Sequence, residues 1–494
     1  MTNRMRGSPL YSPGTQRAMS ILQDPAWYRA TTLVERIAAP RARVRSDRID
    51  GLEAKRRLSR WCSQPPFTKP SILAQRLALD GLTQAEFLRL VAEPLDSLRI
   101  RVARPMPWLV ELSEAVSERY SPRVIAFPEG MGDQVPALLA SVEPLMAHGL
   151  DRLHKGIQQL LLAQPDVPVD AQTIERILFT DLPGQLFAML GRTLVLELNV
   201  ARLEGLLRGD TPEDRFRSFS QRVRQPEIFL AILREYPALA RQLMIRLSQW
   251  VAFALEFLGH LCADWDLIRG TFSPDRDPGI LVHLQTDASD RHRRGRSVLI
   301  AKFSSGFGLV YKPKSMAVDG HFQEFLTWTN QRSGGPGFRT LKILDRHTHG
   351  WAEFAAAETC DSLPALQRFY ERHGAYLALL YVLEATDFHN ENVIAAGEHP
   401  LLIDLEALFH PRMLSQPEWE EVDTAATDRS VLRVGLLPQR DWSSAESEGV
   451  DFSGLGGAPG QLTSYAVADW DKRGTDEMRL TRKRVAMPVA NNRP

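Results

Sequence analysis

Apolar residues recur at helical spacing from about residue 70 to 270. The stretch SILAQRLALDGLTQAEFLRLVAE carries two such stripes, broken at Gly81 and restarted by Thr83 as the expected cap. RTLVLELNVARLEGLL, residues 192 to 207, predicts another helix, stopped by Gly209. Asp210, Thr211 and Pro212 open the next one, with Glu213 and Asp214 where the helix dipole favours negative charge. Residues 227 to 262 are helical in pattern again. No fixed period links these segments, so a solenoid is not indicated. Stripes of this kind are core packing and carry no chemistry by themselves.

The pattern changes near residue 275. After the loop SPDRDPG come ILVHLQT, RSVLIAKF, GLVYKPKS, LKILD and GWAEFAA, short runs rich in β-branched and aromatic residues that predict a small antiparallel sheet. One helix interrupts them, VDGHFQEFLTWTNQ, with Phe322, Phe325, Leu326 and Thr329 on one face. PALQRFYERHGAYLALLYVLEA then predicts a long helix whose stripe is Leu366, Phe369, Tyr370, His373, Leu377, Leu380 and Tyr381. A polar loop follows, and two short strands joined by a turn. Past His410 the pattern weakens, and SGLGG is read as a mobile loop in preference to a phosphate loop, for which no helix and lysine follow.

Composition changes this picture little. Apolar content of 44% and charged content of 24% are ordinary for a globular chain of two or three domains, and a formal net charge of zero implies no attraction to polyanions. Arginines crowd the start, as at Arg41, Arg43, Arg45 and Arg48; without aromatic platforms or a DNA-reading motif they predict a solvated leader, not a nucleic-acid partner. Cys62, Cys262 and Cys360 are far apart and odd in number, which favours a reducing, cytoplasmic setting. The first residues have no apolar core and are not a signal peptide, and VAFALEFLGHLCA is too short to span a bilayer.

The candidate chemistry lies in YLALLYVLEATDFHNENVIAAGEHPLLIDLEALFH, residues 376 to 410. Asp387 precedes Asn392 by five residues, and Asp404 follows the turn. That order is how kinases set a catalytic base and two ligands for magnesium, a hard cation that takes one or two protein oxygens plus phosphates. Asp387 is the expected base. Asn392 and Asp404 are the expected metal ligands. Glu406 is placed on the same strand face as Asp404 by alternation, and His389 shares the loop. Lys312, on the strand LVYKPKS, is the expected phosphate-binding lysine; Pro313 should end that strand, and Lys314 is read as a decoy. The basic tip SDRHRRGRS, with Asp290 and His292, would sit over a triphosphate or be an exposed turn. His347, His349 and Cys360 fit no closed zinc spacing.

GLVYKPKSMAVDGHFQEFL, the run from Tyr376 to His410, SVLRVGLLP, DFSGLGG and GTDEM resemble the dehydratase domain of type 2 lanthipeptide synthetases over roughly residues 150 to 494. The resemblance implies an α+β, lipid-kinase-like bilobal fold with a large N-terminal helical region. It divides the chain into a basic, partly disordered leader (1–65), a helical activation region (66–274), a β-rich N-lobe (275–360) and a helical C-lobe (361–494). It implies ATP and Mg as cofactors, and phosphorylation of Ser and Thr in a ribosomal precursor peptide as the first half of dehydration. Asp387, His389 and Glu406 would be catalytic, Asn392 and Asp404 would hold the metal, and Lys312, Asp290 and His292 would bind the nucleotide. The family's Gly-Asp-x-His motif has Ser289 here in place of glycine. Its Arg-Pro-Thr elimination segment does not follow residue 406, and the chain ends at the family's Asn-x-Pro, Asn492 to Pro494. Elimination is therefore expected to be lost and the C-lobe to be incomplete, the chain being either a truncated synthetase or the first piece of a split one whose remainder comes from a separate chain. The competing expectations are a small-molecule kinase of aminoglycoside type and a catalytically dead fragment that binds peptide.

Overall fold

The computed structural model describes residues 13–40, 51–102, 104–117, 127, 131–164, 167–286, 291–410, 430–441 and 449–494. The chain mixes helix and sheet and divides into two compact units. The first comprises residues 1–156, 180–255 and 474–477; the second comprises 157–179, 256–473 and 478–494. Among the described residues no helix is long and apolar enough to cross a membrane.

The first unit is helical for the reasons its sequence gives. Leu182, Leu186, Leu190, Leu194 and Leu198 recur every fourth residue along the helix Leu182–Leu203, and all are buried. Thr83 caps Gln84–Ala92 by a reciprocal box with Glu86, after Gly81 turns the chain at φ +67°. Thr211 caps Pro212–Val223, accepting from the Asp214 amide. Inside the stretch read as a leader, residues 13–65, the described chain forms helices, among them Leu33–Ala38 and Gly51–Cys62.

In the second unit the central element is a five-stranded antiparallel sheet. Its strands are β1 (Leu281–Gln285), β2 (Leu299–Phe303), β3 (Gly308–Lys312), β4 (Ile343–Asp345) and β5 (Gly350–Glu353), ordered β1-β2-β3-β5-β4. One face packs on residues 256–272 of the helix Pro237–Phe272, here α1: Phe257 meets Tyr311 edge-on, and Trp265 stacks on Phe303. Buried between them, Asp264 accepts from Trp351 Nε1 and bonds His349 Nε2, each at 2.8 Å, while the His260 ring stacks on His349. A carboxylate at 2% exposure needs such partners to stay charged. Burial, the largest influence, pushes Asp264 up, but the bonds to Trp351 and His349 outweigh it and its pKa ends below the usual carboxylate value.

Side chains alternate along a strand, so Lys312 leaves β3 on the face opposite Tyr311. On leaving β3 the chain turns at Pro313 and runs into α2 (Ala317–Arg332). Asp345 Oδ1 fixes that turn by accepting from the Met316 amide at 2.7 Å, and Met316 fits only because its neighbour is Gly350: an added Cβ there would lie 2.7 Å from Met316 Cγ. Next comes α3 (Leu363–Val382), and then a hairpin of β6 (Val393–Ala396) and β7 (His399–Leu402). Phe322 and Leu326 of α2, Tyr376 and Leu380 of α3, Phe388, Val393, Leu402, Val434 and Leu436 share one core. The buried face of α3 is turned from the stripe read in the sequence. Arg372 and Tyr376 are inside, and Tyr370 and Tyr381 are exposed. Arg372 tolerates burial because Gly337 O, Glu398 O and Glu398 Oε1 take up its guanidinium at 2.7–3.0 Å. Among the described residues beyond α3, the region read as a helical lobe is short strands and turns, with one 3-10 turn at Val431–Val434.

Candidate active site

The loop after α3 is built around Phe388, which is fully buried in the shared core. With Phe388 inside, Asp387 on one side of it projects outward, its side chain 68% exposed. Asp387 has φ +69°, a left-handed conformation that aspartate tolerates better than most residues but that costs about 1 kcal/mol. Two contacts fix the loop from within. Asn392 Nδ2 donates to Asp387 O at 2.8 Å, and the Glu391 amide donates to His389 Nδ1 at 3.2 Å. His389 Nε2 lies 3.8 Å from Asp387 Oδ1 and 3.2 Å from Asn392 Nδ2. The three polar residues of the motif therefore sit together.

The hairpin carries the next acid. Val393 pairs with Leu402, and the Ile403 amide donates to Asn392 O at 3.2 Å, so Asp404 follows directly on the residue opposite Asn392. Here an expectation needs correcting. Strand β7 ends at Leu402, so Asp404 and Glu406 lie in the turn beyond it, and alternation along a strand is not what joins them. Lys314 joins them. Its Nζ donates to Glu406 Oε2 at 2.6 Å and to Asp404 Oδ1 at 3.4 Å. Burial lowers the Lys314 pKa, but the bond to Glu406 and the charge of Asp404 outweigh it, and the ammonium titrates above the ordinary lysine value. Lys314 was read as the decoy; it is the lysine on both acids.

Lys312 is adjacent and more deeply placed, 7% exposed. Its Nζ donates to Asp319 Oδ1 at 3.0 Å and to Ile403 O, the carbonyl just before Asp404, at 2.5 Å. Asp319, buried in the first turn of α2, was missed from the sequence. The signal was there: an acid seven residues after the strand lysine, at the start of the helix that interrupts the strands.

The basic tip is held by contacts of its own. His292 and Arg296 pair through their backbones at 2.8 and 2.9 Å, with Arg293, Arg294 and Gly295 all at positive φ. Arg296 is tied to Glu256 of α1, and the His292 side chain is exposed. Among the described residues no hydrogen bond or ion pair joins His292 to Lys312, Lys314 or the acids. Asp290 and Ser289 lie outside the described residues.

Two parts of the chain hold the loop from below. Phe388 N donates to Val434 O and Asn390 N to Phe452 O, each at 2.9 Å. The glycine loop read as mobile is buried instead: Ser453, Gly454, Gly456 and Gly457 are inside. A Cβ on Gly454 would stand 2.9 Å from Phe388 O, so only glycine lets the two backbones approach. Asn492, 2% exposed, donates from Nδ2 to Gly454 O at 2.8 Å and to Gly456 O at 3.1 Å, while Ala395 N on β6 donates to Asn491 O at 2.7 Å.

The donor set can be tested against magnesium and nucleotide. Among the described residues no group of three or more His, Cys, Asp or Glu is placed to hold a metal, so a closed protein cage is excluded there. Asn392 spends its amide nitrogen on Asp387 O, which leaves its oxygen free, and the Asp404 side chain is 39% exposed. Two oxygens of this kind fit a cation whose remaining ligands are phosphate and water.

The chain belongs to the family described as domain of unknown function DUF4135, whose model matches residues 236–494. It is 27% identical over 278 residues to the lacticin 481/lactococcin biosynthesis protein LcnDR2 of Lactococcus lactis subsp. lactis, a match taking in 52% of this chain and 29% of that protein. The chain thus covers less than a third of that relative's length. These two matches establish the kinship with lantibiotic synthetases read from TDFHNEN…LIDLE.

Proposed function

We propose that this chain is the phosphorylating half of a lanthipeptide dehydratase, transferring the γ-phosphate of ATP to Ser or Thr of a precursor peptide with magnesium. The sheet with α2 would be the N-lobe of a lipid-kinase-like fold, and α3 with the β6–β7 hairpin the core of its C-lobe. One observation carries the reading. Lys312, from the middle strand of the sheet, pairs with an acid on the adjoining helix and reaches the main chain beside Asp404, which follows the residue opposite Asn392 in the hairpin. A lysine–acid pair next to a metal-binding aspartate is what phosphoryl transfer asks of a protein, since the work is positioning and charge neutralisation. The match to a lacticin 481 biosynthesis protein supports a precursor peptide, rather than an aminoglycoside, as acceptor.

In this reading Asp387 takes the proton of the attacking hydroxyl, and its exposed carboxylate is open to a substrate chain. Asn392 and Asp404 hold the cation, which neutralises the phosphates when bound. Lys312 sits beside the phosphates, and His389 orients the loop. The test is nucleotide binding. ATP with Mg²⁺ should raise the melting temperature of the full chain, and Asp404→Ala should abolish that rise without unfolding the protein. A shift that survives Asp404→Ala puts the nucleotide elsewhere and ends the proposal.

A further inference from the structure

The lysine that touches both acids is not the one the phosphate-binding role claims. Lys312 is committed to Asp319 and Ile403 O. Lys314 lies one residue past Pro313 and holds Glu406 at 2.6 Å and Asp404 at 3.4 Å. Its position is fixed from behind, because Asp345 anchors the turn through Met316 N and Ser315 Oγ. The two contacts are unequal. The bond to Glu406 is short, and the one to Asp404 is near the limit of a hydrogen bond.

We propose that Lys314 is the built-in counter-ion of the metal site: its ammonium neutralises Asp404 and Glu406 in the metal-free chain and gives up Asp404 when a divalent cation is held there. The inference rests on Asp404 being a metal ligand. It follows from charge and room. Two carboxylates brought this close repel each other and need a cation between them. A lysine ammonium and a divalent cation repel one another across a few ångströms, so both cannot share one carboxylate without cost. Lys314 has a way out. Its four-carbon stem is flexible, its stronger bond is to Glu406, and leaving Asp404 gives up only the longer contact. Lys314 is thus a positioning residue that holds the acids ready and sets the affinity for the metal.

The measurement is Mn²⁺ binding to the full chain without nucleotide, by calorimetric titration, for wild type, Lys314→Met, Lys314→Arg and Asp404→Asn. Removing a competing positive charge should tighten Mn²⁺ binding roughly ten-fold in Lys314→Met. The same variant should melt at a lower temperature than wild type without metal and close that gap at saturating Mn²⁺. Lys314→Arg keeps the charge and should bind Mn²⁺ much as wild type does, which separates charge from packing. Binding lost in Asp404→Asn but unchanged or weaker in Lys314→Met overturns the counter-ion role and leaves the site reading standing. Binding that persists in Asp404→Asn overturns both, and a lack of Mn²⁺ binding by wild type and Lys314→Met alike overturns the counter-ion role.

Discussion

Two lysines separated by one proline take different partners, and their variants should differ accordingly. Lys312 and Asp319 form a buried pair, with side chains 8% and 11% exposed. Removing one partner of such a pair leaves an uncompensated charge and costs about 3–5 kcal/mol. Lys312→Met should therefore lower the denaturation midpoint strongly. Lys312→Met combined with Asp319→Leu should recover much of the loss, yet show no phosphorylation. Recovery of activity in the double variant would remove Lys312 from the site. A second prediction concerns His373 on α3. Burial pushes its pKa down to about 4, and neither ring nitrogen has a hydrogen-bond partner among the described residues. The sign follows from linkage. The unfolded chain takes up a proton near pH 6.5, whereas the folded chain resists it down to about pH 4, so stability falls as pH drops through that window. The loss should be on the order of 3 kcal/mol, and His373→Phe should flatten the acid limb of a urea-midpoint-versus-pH curve. An unchanged limb would show that His373 finds a proton acceptor on folding.

Among the elements, the loop bearing Asp387 depends on segments far along the chain. Asn492 donates to two buried glycine carbonyls, and Gly454 lets that loop lie against Phe388. Asn492→Ala orphans both carbonyls, and each buried unsatisfied group costs about 1–3 kcal/mol. The variant should melt lower and transfer phosphate more slowly, with ATP affinity less affected than turnover. Equal loss of both would mean that Asn492 serves only the fold. Much of this architecture was legible in the sequence. Helical stripes, the Thr83 and Thr211 caps and five short strands all announce themselves locally, and the Asp387–Asn392 spacing marked the loop in which Asp387, His389 and Asn392 contact one another. What was not legible depends on partners distant in sequence. Nothing local says that Arg372 is inside, since Glu398 and Gly337 make that possible. Nothing local buries SGLGG, since the groups covering it are Phe388 and Asn492. Reading Asp404 and Glu406 as one strand face failed because the ladder ends at Leu402, and that end is set by pairing rather than by composition. The contacts of Lys314 with Asp404 and Glu406 were not legible either, since they join residues some ninety positions apart.

For the whole molecule, the residues of the candidate site all fall in the second compact unit, and the family match covers 236–494. Sheet, helix and hairpin that position Lys312, Asp387 and Asp404 therefore belong to one compact unit. The account predicts a phosphotransferase acting on a peptide, and the most direct measurement is the mass of a Ser/Thr-containing precursor peptide after incubation with the full chain, ATP and Mg²⁺. Phosphate should appear on Ser or Thr, and Asp387→Asn should slow its appearance by about 10²–10⁴-fold while the chain still binds nucleotide. Phosphate transfer that proceeds undiminished in Asp387→Asn, or a chain that binds ATP with Mg²⁺ yet leaves every precursor peptide at its starting mass, would contradict it.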